Sequence, residues 1–398
     1  MNKVLIPELR FPEFNFERDW KVKELSELGD LINGLTYSPD DVREEGLLVL
    51  RSSNVQNGLI NLNDRVYVRK DINGANLSEP NDILICVRNG SKNLIGKNAI
   101  IPKDLHFVTH GAFMTVFRAK NSEFVFQLFQ TDMYDKQVKA DLGATINSIN
   151  GKNFLKYEFP VPENPKEQQK IASCLSSLDE VITGYNQKLE LLKVHKKGLM
   201  QNLFPQDGEK FPKYRFPAFE NDGEWVKKTL GEVCEMQAGK FVSASEINTQ
   251  FSNDLYPCYG GNGLRGYTKS YTHTGTYSLI GRQGALCGNV TLADSRFHAT
   301  EHAVVVTPGK SIDTVWLFYV LELLNLNQYA TGQAQPGLSV SNLERVKLSV
   351  PLSFNEQQKI ASCLSACDEL IAGQTAKIEQ LKQHKKGLMQ GLFPKMND

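Results

Sequence analysis

Two short stretches of this 398-residue chain set an arginine, a side-chain amide and a glycine in the same order: Arg88-Asn89-Gly90 in ICVRNGSKN and Arg282-Gln283-Gly284 in LIGRQGALCGN. Arginine suits the acceptor pair of guanine, Asn and Gln suit adenine, and glycine lets a backbone approach closely. Residues 81–120 carry Arg88, Lys92, Lys97, Lys103, Arg118 and Lys120 against Asp82 and Asp104, a net of +4. Residues 255–300 carry Arg265, Lys269, Arg282 and Arg296 against Asp294, a net of +3. Both windows also hold Asn, Ser and Thr, and the second holds Gln283, side chains that pair with phosphates and base edges. Taken singly, each stretch reads equally well as a solvated turn. Recurrence in both halves favours a base-reading role, assigned to Arg88, Asn89, Ser91, Lys92, Asn93 and Lys97 in one half and to Arg265, Arg282, Gln283 and Asn289 in the other.

Other strings with chemical meaning fail on context. His298-Ala-Thr-Glu301-His302 fits the H-x-x-E-H zinc pattern, which needs a helix to bring two imidazoles to one face. Its flanks, SRF and AVVVTP, are strand-like, so a zinc hydrolase is a minor alternative. Gly261-Asn-Gly263-Leu-Arg-Gly266 fits G-x-G-x-x-G, but YTKSYTHTGTYS follows it where a phosphate-binding helix should begin, so turns are expected. There is no G-x-x-x-x-G-K-[ST] string, and no Pro-Pro dipeptide of the kind found in the loop of amino-methylating DNA enzymes. The chain is therefore expected to be non-catalytic, with no metal and no cofactor of its own.

Composition bounds the class. Forty-five Lys+Arg balance 45 Asp+Glu, and 41% apolar with 23% charged residues is an ordinary globular mix. A chain-wide basic field is excluded, so nucleic acid must be held by local patches. Seven scattered cysteines without a C-x-x-C pair read as reduced thiols of a cytoplasmic protein. The apolar run Val315–Leu321 is far short of the ~20 residues that cross a bilayer, and no membrane role is expected.

The elements that must position these residues come in two copies. EQQKIASCLS at 167–176 returns at 356–365, and HKKGLMQNLFP at 195–205 returns as HKKGLMQGLFP, both offset by 189. Glu167–Pro205 and Glu356–Pro394 are identical at 28 of 39 positions. PELRFPEF at 7–14 matches PKYRFPAF at 212–219 with an offset of 205, which Trp20/Trp225 and Gly34/Gly239 keep. The first copy therefore has 16 more residues ahead of its repeated block.

That block reads as a helix. Asn164 with Glu167 and Ser353 with Glu356 are placed as capping boxes, and Pro165 suits the first turn. Apolar steps of 4 and 3 through Ile171, Leu175, Leu178, Ile182, Tyr185, Leu189 and Leu192 form a heptad seam. The second copy steps through Ile360, Leu364, Cys367, Ile371, Gln374, Ile378 and Leu381. Polar positions repeat too: Gln168, Gln169, Lys170, His195, Lys196, Lys197 and Gln201 return as Gln357, Gln358, Lys359, His384, Lys385, Lys386 and Gln390. A core stripe needs only apolar character, so this identity suggests two equivalent docking surfaces for one partner species. The regions ahead of the helices, with strand-like Asp82–Val87, Thr115–Phe117, Tyr277–Ile280 and Ala303–Val306, read as mixed α/β globules. Each closes with a helix-like segment (Glu123–Met133, Thr314–Leu324), a glycine (Gly143, Gly332) and a last strand.

The RFPEF and RFPAF strings, Trp20-Lys-Val-Lys and Trp225-Val-Lys-Lys, the two EQQKIASCLS blocks and the HKKGLMQxLFP ends make the chain resemble the specificity subunit of type I restriction-modification systems over essentially its whole length. The resemblance implies a target-recognition domain at 1–160, a spacer helix at 161–205, a linker at 206–224, a second target-recognition domain at 225–350 and a second helix at 351–398. The fold implied is a tandem duplication of a mixed α/β domain and a long helix, the helices pairing as an antiparallel coiled coil. It further implies that each domain reads one half of a bipartite asymmetric site in double-stranded DNA. Two modification subunits would dock on the helices and methylate adenine N6 with S-adenosylmethionine, and restriction subunits would cleave using ATP and Mg. A related system with cleavage and methylation fused in the partner would leave the same trace in this chain. Deleting residues 356–394 is expected to remove one modification subunit.

Overall fold

A computed structural model of the chain describes residues 5–142, 147–284, 286–332 and 336–396. The chain forms two compact units that do not follow sequence order: 1–186 with 377–398, and 187–376. Each long helix, Pro165–Leu203 and Phe354–Leu392, is 39 residues, or about 58 Å of axis, and gives its first part to one unit and its last part to the other.

In the first unit a four-stranded antiparallel sheet runs in the order Gly29–Asn33, Met114–Ala119, Ile83–Cys86, Asn98–Ile100. A second sheet orders Val108–His110, Leu47–Leu50, Tyr67–Val68 and Val42–Arg43, its first pair parallel. Strand Lys21–Glu24 pairs with Glu158–Val161. The second unit repeats this plan. Its sheets order Cys234–Ala238, Ala303–Pro308, Tyr277–Gly281, Val290–Ala293, and Gly263–Thr268, Tyr256–Gly260, Arg296–Ala299, His273–Thr274. Strand Val226–Thr229 pairs with Lys347–Val350. The strand-like runs read from the sequence fall on the two inner strands of the first sheet of each unit, where both faces are covered and the runs are correspondingly apolar.

The segment expected as one helix over Glu123–Met133 is two, Ser122–Leu128 and Asp132–Leu142, with Thr131 accepting the amide of Tyr134 at the break. Its counterpart Thr314–Leu323 is continuous and capped by Asp313, which accepts from Val315 and Trp316. Gly332 has a positive φ of 98°, whereas Gly143 lies outside the described residues.

The repeated motifs meet in one buried assembly per unit. Arg10 clamps the Glu167 carboxylate through Nε at 2.8 Å and a terminal nitrogen at 2.9 Å, and Trp20 Nε1 donates to it at 3.3 Å. Arg215, Glu356 and Trp225 repeat this at 2.8, 2.8 and 3.3 Å. This corrects the capping-box reading. Asn164 and Ser353 do accept helix amides, but each glutamate turns away to a buried arginine. A bidentate charged pair outweighs one bond to an exposed amide. The Leu-Phe-Pro helix ends belong to the same assemblies. Phe393 packs on Trp20 and Phe124 at 6.1 and 6.0 Å, and Phe204 on Trp225 and Trp316 at 6.1 and 6.4 Å.

Within each unit the two helix segments run antiparallel, since the end of one lies beside the start of the other. In the first unit Lys385 bonds Asp179 at 2.7 Å, and in the second Lys196 bonds Asp368 at 2.8 Å. The first two seam steps of each helix, Ile171 and Leu175 or Ile360 and Leu364, are buried in the globule's own core. Leu392 and Phe393 also sit in the first unit's core, so deleting 356–394 would open that core as well as remove a helix. The deletion expected to report on a partner would therefore report on folding.

Candidate nucleic-acid interface

In the first unit the chain leaves strand Ile83–Cys86 at Val87 and Arg88, whose amides both donate to the carbonyl of Phe113, at 3.0 and 3.1 Å. Arg88 also bridges Ser148 on the segment that precedes the last strand. In the second unit the chain leaves strand Tyr277–Gly281 at Arg282, whose amide donates to the carbonyl of His302 at 3.0 Å. Leu338 donates to the Arg282 carbonyl at 2.8 Å, and Gln283 bridges Gly337. The two arginines thus occupy one topological position, held by backbone bonds to the same two neighbouring segments. Among the described residues Arg88, Arg265 and Arg282 form no ion pair, so their charge is uncommitted. Arg88 lies over the Phe113 ring at 5.9 Å.

The remaining expected readers divide. Asn89 is spent locally: its Oδ1 accepts from the Ser91 amide at 3.0 Å and its Nδ2 donates to Ser52 Oγ at 3.3 Å. It thereby shapes the turn that presents Arg88. Ser91 and Asn93 are exposed around the short turn Lys92–Leu94, with Lys92 exposed and Lys97 half-buried. Gln283 is exposed, and Asn289 donates to Asn262 Oδ1 at 3.0 Å. Arg265 stands exposed on strand Gly263–Thr268. The turn that leads into that strand packs closely on Gly281 because Gly281 has no side chain: a Cβ there would lie 1.9 Å from the Gly261 carbonyl oxygen. The G-x-G-x-x-G string is accordingly a hairpin turn, with Gly263 at φ 81°, as the sequence suggested.

The basic window of the first unit splits. Arg118 pairs with Asp82 at 2.8 Å and Glu79 at 2.9 Å, Lys103 with Glu123 at 3.7 Å, and Lys120 donates to the Glu27 carbonyl at 3.1 Å. Arg118, Lys120 and these acids line a polar cleft of about 880 Å³. The counted charge therefore overstated what faces a ligand. The zinc string does not converge: His298 Nε2 is 3.1 Å from the Lys240 carbonyl oxygen, and His302 pairs with its neighbour Glu301 at 3.2 Å. Among the described residues no cluster of three metal-ligating side chains occurs.

The repeated polar residues of the helices also divide. Gln168 donates to the Pro162 carbonyl and accepts from Asn121, and Gln357 accepts from the Asp313 amide and donates to the Ser311 carbonyl. Lys170 and Lys359 lie over Phe11 and Phe216, each at 5.6 Å. Lys196 and Lys385 make the ion pairs above, and Asp368 and Asp179 also accept from Tyr319 and Gln127. For these six, repetition follows from repeated contacts inside the chain and needs no partner. Gln169/Gln358, His195/His384, Lys197/Lys386 and Gln201/Gln390 are exposed in both copies.

Sequence reasoning missed that Phe113 and His302 are equivalent. They hold equivalent places, but one is Phe and the other His, so no identity signals them. Among the described residues no helix is long and apolar enough to cross a membrane.

The family model for the type I restriction modification DNA specificity domain matches residues 17–193 and again 222–383. The EcoprrI specificity subunit of a type I restriction enzyme from Escherichia coli is 39% identical over 57% of this chain and 55% of its own length, about half of each. The putative MjaX specificity subunit of Methanocaldococcus jannaschii is 25% identical over 93% of this chain and 92% of its own. The crystal structure of a type I restriction-modification S subunit from M. genitalium superposes with a TM-score of 0.69 at 19% identity, covering 99% of this chain and all of that one, a likeness of fold.

Proposed function

Because the chain belongs to the type I restriction-modification DNA specificity family, we propose that each unit reads one half of a bipartite, asymmetric site in double-stranded DNA. The observation that carries this reading is the pair Arg88 and Arg282: two uncommitted guanidiniums at one topological position of a repeated scaffold whose surrounding loops differ. Equivalent placement with different neighbours suits two reading heads of one design but two base sequences. Arg88, Ser91, Lys92, Asn93 and Lys97 serve one head, and Arg265, Arg282, Gln283 and Asn289 the other.

The chain acts as the specificity subunit, and catalysis belongs to its partners. Two modification subunits dock on the helices, with Gln169/Gln358, His195/His384, Lys197/Lys386 and Gln201/Gln390 as contacts because they repeat and remain exposed. Those partners bind S-adenosylmethionine and methylate adenine N6, after the base has left the stack. Restriction subunits supply cleavage with ATP and Mg. The complex works in the cytoplasm, where its DNA is.

Arg282→Ala in the full chain, assembled with its modification subunits, tests the reading. Sequencing of N6-methyladenine in cells should show one half of the motif relaxed or lost and the other intact. Equal loss of both halves would overturn it.

A further inference from the structure

The turn ahead of strand Met114–Ala119, and its counterpart ahead of Ala303–Pro308, hold the arginines by backbone bonds, and in the first unit the Phe113 ring lies beside Arg88. Phe113 is 57% exposed, although a phenyl ring of this size is normally buried. The Arg88 guanidinium lies over it, 5.9 Å from the ring centroid. The equivalent His302 side chain is 42% exposed. Two exposed rings thus stand at one topological position, each residue tied through its backbone carbonyl to the amide of an uncommitted arginine.

The chemistry of that target is narrow. If the arginines read base edges in the major groove, as proposed above, the apolar group the groove offers a phenyl ring is the thymine C5 methyl. The 5.9 Å between guanidinium and ring spans less than two base steps of about 3.4 Å each. We propose that Phe113 is a specificity-determining residue that reads a thymine methyl next to the base read by Arg88, and that His302, whose Nε2 pairs with Glu301 at 3.2 Å, sets a polar ring at the same position of the second unit. The inference rests on the assignment of these loops to DNA. It adds the residue type at one position as a reason why the two half-sites differ.

The test uses the full chain bound to its modification subunits and duplexes carrying the motif found by methylome sequencing, with each thymine of the first half-site replaced in turn by uracil. One replacement should weaken binding by about five-fold, the low end of a specific base contact. Phe113→Ala should show a loss of that size on the thymine duplex and none on substitution by uracil. Phe113→His should abolish the methyl response while leaving the second half-site unchanged. The exposed site makes both variants foldable, which equal melting temperatures would verify. A wild-type complex indifferent to every uracil, as expected for a ring wedged between base pairs, overturns the proposal, as does a Phe113→Ala complex that still senses the methyl. Arg88→Ala and Arg282→Ala separate the two levels. If they weaken their own half-sites while uracil has no effect, only the methyl reading falls; if neither affects DNA binding, the assignment of the loops falls with it.

Discussion

Removing Arg10 should cost far more than removing an ordinary surface arginine. Its side chain is 7% exposed and that of Glu167 1%, and the two are joined by a bidentate pair at 2.8 and 2.9 Å. In Arg10→Met the methylene volume survives, but the Glu167 carboxylate stays buried with only the Trp20 Nε1 proton at 3.3 Å. Stranding one member of a buried pair costs roughly 3–5 kcal/mol. For a unit of about 200 residues, at ~2–4 °C per kcal/mol, this is a fall in Tm of roughly 6–20 °C. Arg10→Met with Glu167→Leu should recover much of the loss, because the stranded charge is gone. The remaining deficit, about 1–3 kcal/mol, is the Trp20 Nε1 left without its acceptor, together with the Glu17 and Arg18 carbonyls that lose the Arg10 donors. Urea denaturation and calorimetry of the three variants measure these terms. A single variant within about 0.5 kcal/mol of wild type, the usual scatter of surface changes, would refute the reasoning. So would a double variant worse than the single one. Arg215→Met should behave alike through Glu356 and Trp225.

Other expectations are smaller or more local. Lys385→Met and Lys196→Met each break a partly exposed ion pair, with a cost of about 0.2–1 kcal/mol that shrinks in high salt; a larger, salt-independent loss would mean the lysine stems carry the packing. Gly281→Ala drives a Cβ into the Gly261 carbonyl and should cost at least ~1–3 kcal/mol in urea denaturation, with weaker binding of the second half-site. His110 is buried, its Nδ1 2.9 Å from Ser78 Oγ and its Nε2 2.9 Å from the Ile32 carbonyl oxygen. Burial holds its pKa below the usual imidazole value, so the stability it confers is full above about 6.5 and is lost as pH falls through the lower folded value. The urea midpoint should drop on acidification from neutral pH, and His110→Asn should flatten that slope; an unchanged slope would remove His110 from the account.

Much of the architecture was legible because duplication writes the same physical demand twice. The repeat gave the helices, and the recurrence of Arg10, Trp20 and Glu167 as Arg215, Trp225 and Glu356 marked residues with a common task. What the task was could not be read, since Arg10 and Glu167 lie 157 positions apart and only folding makes them neighbours. Spacing alone suggested the local answer, a capping box, whereas the bonded partner came from far along the chain. Identity among the helix lysines pointed outward to a partner, yet Lys385 and Lys196 find acids within their own units.

The site follows the same division. Residue type and recurrence were enough to single out Arg88 and Arg282, because a charged side chain beside a glycine-rich turn advertises itself in sequence. Whether a charge is free or spent depends on what folding brings within about 4 Å of it. Arg118 and Arg88 look alike in the string, but Asp82 and Glu79 neutralise one and not the other. Asn89 likewise turned inward to Ser91 and Ser52. The equivalence of Phe113 and His302 leaves no trace in sequence, since it lies in backbone hydrogen bonds rather than in side chains. The sequence by itself determined that there are two copies and where the helices run, and it singled out Arg88 and Arg282 as candidates. The tertiary structure decided which charges remain for a ligand, because ion pairing and burial are properties of distance in space and not of order along the chain.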